Sequence, residues 1–331
     1  MSNPTSTAGT TTLTRGYLVA LISAAILSTT AIFIRHLTQT YQIPALVLAF
    51  WRDVFVVLAL APVLALAFPR LLRASRRQTL YLAGYGLILA LFNALWTLSV
   101  AQNGAAVATV LVYCSAAFTA LLGWWLLKEP LRWVKLTAIV FSLAGCALVS
   151  GALHPSAWQS NLLGILTGVL SGLFYALYSL MGRSASQRGL NPWTTLLYTF
   201  GFAAVFLLAF NLLPGSALPG AASRPVDLFW LGDTWVGWGM LVLLAAGPTV
   251  AGFGLYNVSL SLLPSSVANL ILTTEPAFTA MTAYALLGER LDGMQIAGSL
   301  LILSGVVFLR VYEGRAASQP APAMQAADAE A

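Results

Sequence analysis

Two stretches of this sequence match each other in order and without a gap: SAAFTALLGWWLLKEPL at 115–131 and EPAFTAMTAYALLGERL at 275–291. The shift between them is constant at 160 residues (289 minus 129), so that Glu129 falls on Glu289. Apolar helices share Leu and Ala by chance, so the matching order of Gly, Glu and polar residues carries the information. The chain therefore contains the same helical segment twice.

The repeat extends toward the N-terminus of each copy. At a shift of 148 residues (183 minus 35), Gly16 falls on Gly164 and Arg35 falls on Arg183. The two copies are the predicted units, a first five-helix repeat over 16–151 and a second over 161–312. The polar ends, 1–14 and 314–331, are predicted to be disordered tails.

The composition identifies the class of protein. Of the 331 residues, 59% are hydrophobic and 8% are charged, with a mean hydropathy of +0.84. Soluble proteins carry about 25% charged residues, so this chain has too little polar surface to face water. We predict an all-α, multi-pass membrane protein, located in the plasma membrane of a prokaryote. In a membrane protein, the basic residues behind the net charge of +6 act mainly on orientation in the membrane. We therefore predict no nucleic acid partner.

Cysteine and histidine are too sparse for a disulfide framework or a metal centre. Cys114 and Cys146 lie in separate apolar runs, and His36 and His154 lie at the ends of predicted spans. None of the four has the paired spacing of a zinc site. We expect no metal and no cofactor, and the bilayer is the predicted surrounding.

Ten apolar segments are long enough to cross a bilayer, which takes about 20 residues. The predicted spans are 16–37, 44–68, 79–101, 105–127, 133–151, 161–182, 192–213, 235–260, 265–287 and 293–312.

Basic residues between the spans predict the orientation, because Lys and Arg concentrate in cytoplasmic loops. With both termini inside, twelve basic residues are cytoplasmic: Arg15, Arg70, Arg73, Arg76, Arg77, Lys128, Arg132, Lys135, Arg183, Arg188, Arg310 and Arg315. Three are external: Arg35, Arg224 and Arg290. Since each repeat has five spans, the second enters the membrane from the opposite side. The prediction is an N-in, C-in fold of two inverted five-helix repeats, an architecture of secondary transporters.

These motifs resemble the EamA-type family of the drug/metabolite transporter superfamily. The resemblance rests on the two matching stretches, on FWRD at 50–53, SGLFYALYSLMGR at 171–183 and QIAGSLLILSGVVFL at 295–309. This chain departs from the family at Leu27, where members often have Trp, and at Ala116, where a proline is expected. The resemblance implies a ten-helix carrier of small metabolites, often an exporter.

Glu275 is the most conspicuous candidate for a functional residue. It lies near the middle of a predicted span, where a charge costs about 2.5–3.5 kcal/mol. Pro276 follows it and deprives the carbonyl of Leu272 of its helical hydrogen bond. The functional interpretation is a site for a proton or a substrate ammonium group. The structural alternative is a carboxyl group that bonds to a neighbouring helix and locks the fold.

Arg52 and Asp53 lie inside the second predicted span. Adjacent residues on a helix point about 100° apart, so each is expected to find its partner elsewhere. One interpretation is an ion pair that links helices. The other is that Arg52 receives a substrate carboxylate.

Intramembrane aromatic and amide side chains complete the candidate site. A cavity lined by aromatic rings with one acid suits ammonium groups, through cation–π attraction. The alternatives are interface anchoring for aromatic side chains and helix packing for amides. The candidates are Trp96, Tyr113, Tyr175, Tyr178, Tyr256, Asn93, Asn257 and Asn269.

Three further features concern backbone geometry. Pro276 and the pair Gly247–Pro248 are candidate helix breaks or hinges. Glu129 and Glu289, at the equivalent turns of the two repeats, are expected to be exposed and to cap the helix that follows each of them.

The sequence thus predicts a secondary transporter that exports amino acids or related amines by alternating access, with proton coupling through Glu275 as a hypothesis. One alternative substrate class is amphiphilic cationic or toxic compounds. Alternatives of another class are a receptor or scaffold that does not transport, and a lipid enzyme. The sequence has no set of catalytic groups, so we predict no enzymatic activity.

Overall fold

The computed structural model describes residues 5–127, 133–149, 161–213, 218–262, 271–272 and 274–318. Asn269, Glu129 and His154 lie outside the described residues. Within these ranges the secondary structure is helical, without a strand. The α-helices are α1 Thr5–Thr40, α2 Ala45–Ala67, α3 Arg76–Asn103, α4 Ala105–Val112, α5 Ser115–Leu127, α6 Trp133–Val149, α7 Leu162–Gln187, α8 Pro192–Asn211, α9 Trp235–Leu244, α10 Gly252–Leu262, α11 Glu275–Leu287 and α12 Gly293–Ser318.

Six stretches of the described helices are long and apolar enough to cross a membrane. They are Arg15–Thr40, Ala45–Ala67, Arg76–Asn103, Leu162–Gly182, Pro192–Asn211 and Trp235–Tyr256. Shorter apolar helices occupy Ala105–Thr119, Ile139–Val149 and Gly293–Phe308. The protein is therefore a multi-pass membrane protein, and helices overlap each predicted span. The count of ten crossings and their orientation stay predictions.

The terminal helices are longer than the sequence predicts. α1 begins at Thr5 and α12 ends at Ser318, so helix covers part of each segment predicted to be a disordered tail. An existing helix extends readily, because each added residue gains a hydrogen bond without the cost of a new nucleus.

Helix packing connects the two halves of the chain at many places. α3 packs on α7 and α8, and α1 packs on α10 and α11. α2 packs on α8, α4 packs on α11, and α6 packs on α12. Each of these contacts joins a helix of residues 5–149 to one of residues 162–318, so the core lies between the halves.

The contact between α6 and α12 depends on two glycines. A Cβ atom added at Gly145 would lie 2.7 Å from the carbonyl oxygen of Gly298, and one added at Gly298 would lie 2.7 Å from that of Gly145. No side chain fits at such a distance, so the two backbones approach closely only because both residues are glycine. Small residues serve the same purpose in other membrane helix pairs.

A proline-containing segment interrupts the helices in the second half of the chain. Between α9 and α10, Ala245–Ala251 forms a wide π-helical turn that contains Pro248. Pro248 has no N–H group to donate to the carbonyl of Leu244, and the Thr249 hydroxyl donates to that carbonyl at 3.0 Å. The chain thus replaces the missing backbone bond with a side-chain bond.

Candidate functional site

The two matching stretches break their helices at equivalent positions. α5 begins at Ser115 and α11 begins at Glu275, which correspond at the shift of 160 residues. The backbone hydrogen bonds at the breaks also correspond. In the first copy, Cys114 N–H donates to Leu111 O at 3.1 Å and Phe118 N–H to Cys114 O at 3.3 Å. In the second, Thr274 N–H donates to Ile271 O at 3.0 Å and Phe278 N–H to Thr274 O at 3.2 Å. The first copy has Ala116 where the second has Pro276, so the break does not depend on proline.

Tyr113 joins the two breaks to each other. Its hydroxyl lies 2.8 Å from the carbonyl oxygen of Leu272 and 3.1 Å from Oε2 of Glu275. The Leu272 carbonyl is the group that Pro276 leaves without a backbone donor. One side chain from the first repeat thus provides the hydrogen bond that the second repeat lacks.

Glu275 lies in the first turn of α11 and is partly buried. The N-terminus of a helix carries partial positive charge, which favours a carboxylate there. The same turn is tied to α1, because the buried Thr279 hydroxyl lies 3.1 Å from Glu275 O and 3.3 Å from Ser28 O. Glu275 is therefore held at the contact of α1, α11 and the α4–α5 break.

Arg52 and Asp53 do contact each other, contrary to the sequence-based expectation. Arg52 Nε lies 3.3 Å from Asp53 Oδ1, and both side chains are buried. The long arginine side chain curves back along α2, which the 100° rule for Cβ directions does not consider. Asn93 on α3 donates to Oδ1 and Oδ2 of Asp53 at 3.0 and 2.7 Å. The carboxylate thus links α2 to α3.

Aromatic rings extend from this cluster along the interface of α3 and α7. The Arg52 guanidinium lies 5.9 Å from the centre of the Trp96 ring, a cation–π contact. Phe92 stacks on Trp96 at 6.1 Å and lies 5.2 Å from Tyr175 and 6.5 Å from Tyr178. Sequence reasoning missed Phe92, although its position four residues before Trp96 places both on one helix face.

The other predicted site residues are placed less completely. Tyr256 is partly buried in α10. Asn257 is in the same helix, and its side chain lies outside the described part. Gly247 and Pro248 lie in the wide turn between α9 and α10. The structure therefore gives defined contacts to Arg52, Asp53, Asn93, Trp96, Tyr113, Tyr175, Tyr178 and Glu275. The roles of Tyr256 and Asn257 stay predictions.

Sequence reasoning misjudged Glu289, which is half-buried and does not cap the helix after it. Its carboxylate accepts from the N–H groups of Ala105 at 3.0 Å and Ala106 at 3.2 Å, so it caps α4 in the other repeat. α12 is capped by Asp292 instead. Because Ala105 and Ala106 lie in the other half of the chain, the sequence alone could not show that Glu289 would cap their helix.

Arg35 completes this second polar cluster. Its Nε lies 3.3 Å from Oε1 of Glu289, and its Nη1 donates to the carbonyls of Val100 and Ala101 at the end of α3. Gly104 connects α3 to α4 with φ of +86°, and a Cβ there would lie 2.9 Å from Glu289. Glycine is required both for this backbone conformation and for the approach of the carboxylate.

Comparison with known proteins supports a transport role. The model of the EamA-like transporter family matches residues 14–151 and 162–311. An uncharacterized transporter of Synechocystis sp. is 29% identical over 234 residues, which cover 70% of this chain and 66% of that protein. The chain thus spans just under two thirds of that relative's length. A Salmonella typhimurium protein named "Probable amino-acid metabolite efflux pump" is 26% identical over 255 residues, covering 75% of this chain and 83% of that protein.

A solved crystal structure shares the fold with a TM-score of 0.57 and 17% sequence identity, over 90% of this chain and 97% of its own. This likeness concerns the fold alone. The family match covers both halves of the sequence, and the relatives are named as transporters rather than enzymes. The chain therefore belongs to the EamA-like transporter family.

Proposed function

We propose that this transporter exports small organic solutes, amino acids or related amines, by alternating access between two inverted repeats. The observation that supports this proposal best is the contact between the two helix breaks through Tyr113 and Glu275. Broken helices that meet between repeats are a common basis for substrate sites in secondary transporters, because the breaks leave backbone groups and helix ends free to bind polar ligands.

Glu275 is the proposed partner of a substrate ammonium group. Its hydrogen bond to Tyr113 leaves other acceptor positions on the carboxylate, since each carboxylate oxygen accepts more than one bond. Tyr113 and Tyr175 pack against the core that contains Trp96, and aromatic rings attract ammonium groups. As a second role of the same residue, we propose that Glu275 accepts the coupling proton when the substrate leaves.

The pattern of helix contacts supports an inverted repeat. When each span is replaced by its equivalent in the other half, the α3–α7 contact becomes the α10–α1 contact, and α5–α7 becomes α11–α1. Three contacts stay the same under this exchange, because each joins a helix to its equivalent in the other half: α2–α8, α4–α11 and α6–α12. If each repeat can take two shapes, their exchange would turn an outward-open cavity into an inward-open one, which is the proposed basis of alternating access.

The Arg35–Glu289 pair is the proposed closure of one face. It joins α1, the α3–α4 junction and the end of α11, which the predicted orientation places outside. The sequence-equivalent residues are Arg183 and Glu129 at the opposite, cytoplasmic face. We propose that the two pairs form alternately, one in each conformation of the transport cycle.

The substrate class follows from charge and from similarity. The amino-acid metabolite named for the Salmonella relative suits a site that offers one acid, one arginine and several aromatic rings. Amphiphilic cations remain the alternative class, since Glu275 and the rings alone would accept them. A phosphorylated sugar would require several cations for its dianion.

Transport in proteoliposomes tests the proposal. The purified protein is reconstituted and loaded in turn with each of the common amino acids, their decarboxylated amines and a lipophilic cation, and efflux is measured with and without a pH gradient. We expect efflux of at least one class, and we expect Glu275→Gln to reduce it by roughly tenfold or more, which corresponds to about 1.4 kcal/mol. The matched control is Asp292→Asn, which neutralises an exposed acid at the N-terminus of α12.

Three outcomes separate the parts of the proposal. Efflux of the lipophilic cation without efflux of any amino acid supports the alternative substrate class. Full pH-dependent transport by Glu275→Gln contradicts the role of this residue in proton coupling. Absence of efflux for the whole panel contradicts export of amino acids and amines.

A further inference from the structure

We infer that the cluster of Arg52, Trp96 and Thr97 between α2 and α3 is a binding subsite for the carboxylate of the transported solute. The inference rests on the proposed function, and it assigns to this chain a second pole of recognition besides Glu275. The observation that carries it is a surplus of buried hydrogen-bond donors over acceptors in this part of the molecule.

Two of these donors have no partner among the described residues. Trp96 Nε1 and Thr97 Oγ1 are buried and make no hydrogen bond, and their residues are 7% and 0% exposed. An indole N–H can only donate. A buried polar group without a partner is destabilising, so such groups are rare and indicate a ligand or an ordered water.

Thr97 is unusual among the threonines of these helices. Thr109, Thr167 and Thr282 each donate their hydroxyl to the carbonyl four residues earlier, at 2.8 Å, which is the ordinary arrangement in a helix. Thr97 does not do so, and it lies four residues after Asn93, on the face of α3 that contacts Asp53. We assign its unpartnered hydroxyl to the proposed subsite because Thr97 and Asn93 share this face of α3.

Arg52 offers the positive charge. Its Nε bonds to Asp53 at 3.3 Å, and this is the side-chain hydrogen bond of Arg52 seen among the described residues. The two Nη groups form a planar pair of donors that matches the two oxygens of a carboxylate. The guanidinium lies over the Trp96 ring, 5.9 Å from its centre, which places both side chains at the proposed subsite.

Asp53 holds Arg52 in place and does not fill the subsite. Both of its oxygens accept from Asn93, and Oδ1 also accepts from Arg52 Nε. The groups of this cluster that have no partner among the described residues can both donate: the indole N–H of Trp96 and the hydroxyl of Thr97. The two Nη groups of Arg52 are the proposed further donors to the ligand. A water molecule would bring two more donors with its two acceptor positions, whereas a carboxylate brings acceptors alone. The balance favours an anionic acceptor.

The test compares amino acids with their α-amides, which have the same side chain and ammonium group but lack the carboxylate. Thermal unfolding of the purified protein is measured with each member of a panel of such pairs, and the apparent Kd is taken from the concentration dependence. We expect the wild-type protein to bind at least one acid about tenfold or more tightly than its amide, in keeping with a charge-assisted hydrogen bond pair.

Thr97→Val is the decisive variant, because it removes the hydroxyl and keeps the shape. Without ligand, it should unfold at the same temperature or a higher one, since an unpaired buried polar group is lost. With ligand, it should bind the acid several-fold more weakly and the amide unchanged. The matched control is Thr195→Val, which removes another buried hydroxyl without a partner, on α8 outside the cluster, and should leave the acid preference unchanged.

Arg52→Lys provides the second variant, which keeps the charge but not the planar fork. It should retain the fold and lose most of the preference for acid over amide. Equal binding of acid and amide by the wild-type protein, or an unchanged preference in both Thr97→Val and Arg52→Lys, overturns the subsite. Efflux of an amine or amide from proteoliposomes would in that case leave the proposed export function standing, so the two failures are distinguishable.

Discussion

Tyr113 and Glu275 belong to the two equivalent helix breaks of this protein, and the tyrosine hydroxyl lies 3.1 Å from the glutamate carboxylate. The same hydroxyl lies 2.8 Å from the carbonyl oxygen of Leu272. Pro276 has no N–H group to donate to that carbonyl. A polar contact between two helix breaks inside a membrane protein can hold the helices together and can also bind a ligand.

Tyr113→Phe should reduce both stability and transport. The variant removes the hydroxyl that the Leu272 carbonyl and the Glu275 carboxyl group share, which costs about 1–3 kcal/mol. It should lower the efflux rate by more than the loss of folded protein accounts for. Thermal unfolding in detergent and efflux per folded molecule are the measurements.

Tyr198→Phe is the control for this prediction. The Tyr198 hydroxyl also donates to a backbone carbonyl, that of Leu72, at 2.8 Å, but it lies away from both breaks. We expect a similar loss of stability and normal efflux per folded molecule. If both variants have the same efflux, the hydroxyl of Tyr113 has a structural role only.

Arg35 and Glu289 should be energetically coupled. A double-mutant cycle with Arg35→Gln and Glu289→Gln should give a coupling energy of about 1 kcal/mol or more, since the two side chains are half-buried and in contact. Unfolding of the four proteins in detergent measures it. Independent, additive effects would show that the ion pair contributes nothing.

Exchange of the two charges should fail to restore stability. In the variant Arg35→Glu/Glu289→Arg the ion pair can re-form, but arginine cannot accept from the N–H groups of Ala105 and Ala106, which Glu289 now caps. We expect the double exchange to remain at least about 1 kcal/mol less stable than the wild type, the usual cost of a lost helix cap. Full restoration of stability would mean that the cap is unimportant.

Gly145→Ala and Gly298→Ala should each separate α6 from α12. The added methyl group would lie 2.7 Å from a backbone oxygen of the other helix, and such overpacking costs about 1–3 kcal/mol. A lower temperature of unfolding is the expected result.

The control substitution is Gly84→Ala in α3, where an added Cβ has no neighbour within 4 Å. Alanine is the better helix former by about 1 kcal/mol, so this variant should be as stable as the wild type or more stable. Equal effects at Gly84 and Gly145 would contradict the close contact of α6 and α12.

Much of the fold and part of the site could be predicted from the pattern of residues. Long apolar runs must form helices in a bilayer, because the backbone has no water to bond with. The six helical stretches that are long and apolar enough to cross a membrane follow these runs. Proline at 248 and 276 marked interruptions, because a residue without N–H breaks the ladder wherever it occurs. The equivalent break at Tyr113 had no such marker in the first copy and was not predicted.

The partners of individual side chains could not be predicted from the sequence. Spacing on a helix gives the direction of a Cβ atom but not the path of a long side chain, so the Arg52–Asp53 bond was missed. The role of Glu289 as the cap of α4 depends on how the two halves pack, which no local rule contains.

The sequence by itself determined that this is a helical membrane protein with an internal repeat, because hydropathy and order of residues are properties of the chain. Only the tertiary structure decided that Tyr113 contacts Leu272 and Glu275 and that Trp96 Nε1 and Thr97 Oγ1 are buried without a partner among the described residues. Hydrogen bonds require partners within about 3 Å of each other, and for residues 159 or 162 positions apart that distance is set by the packing of whole helices.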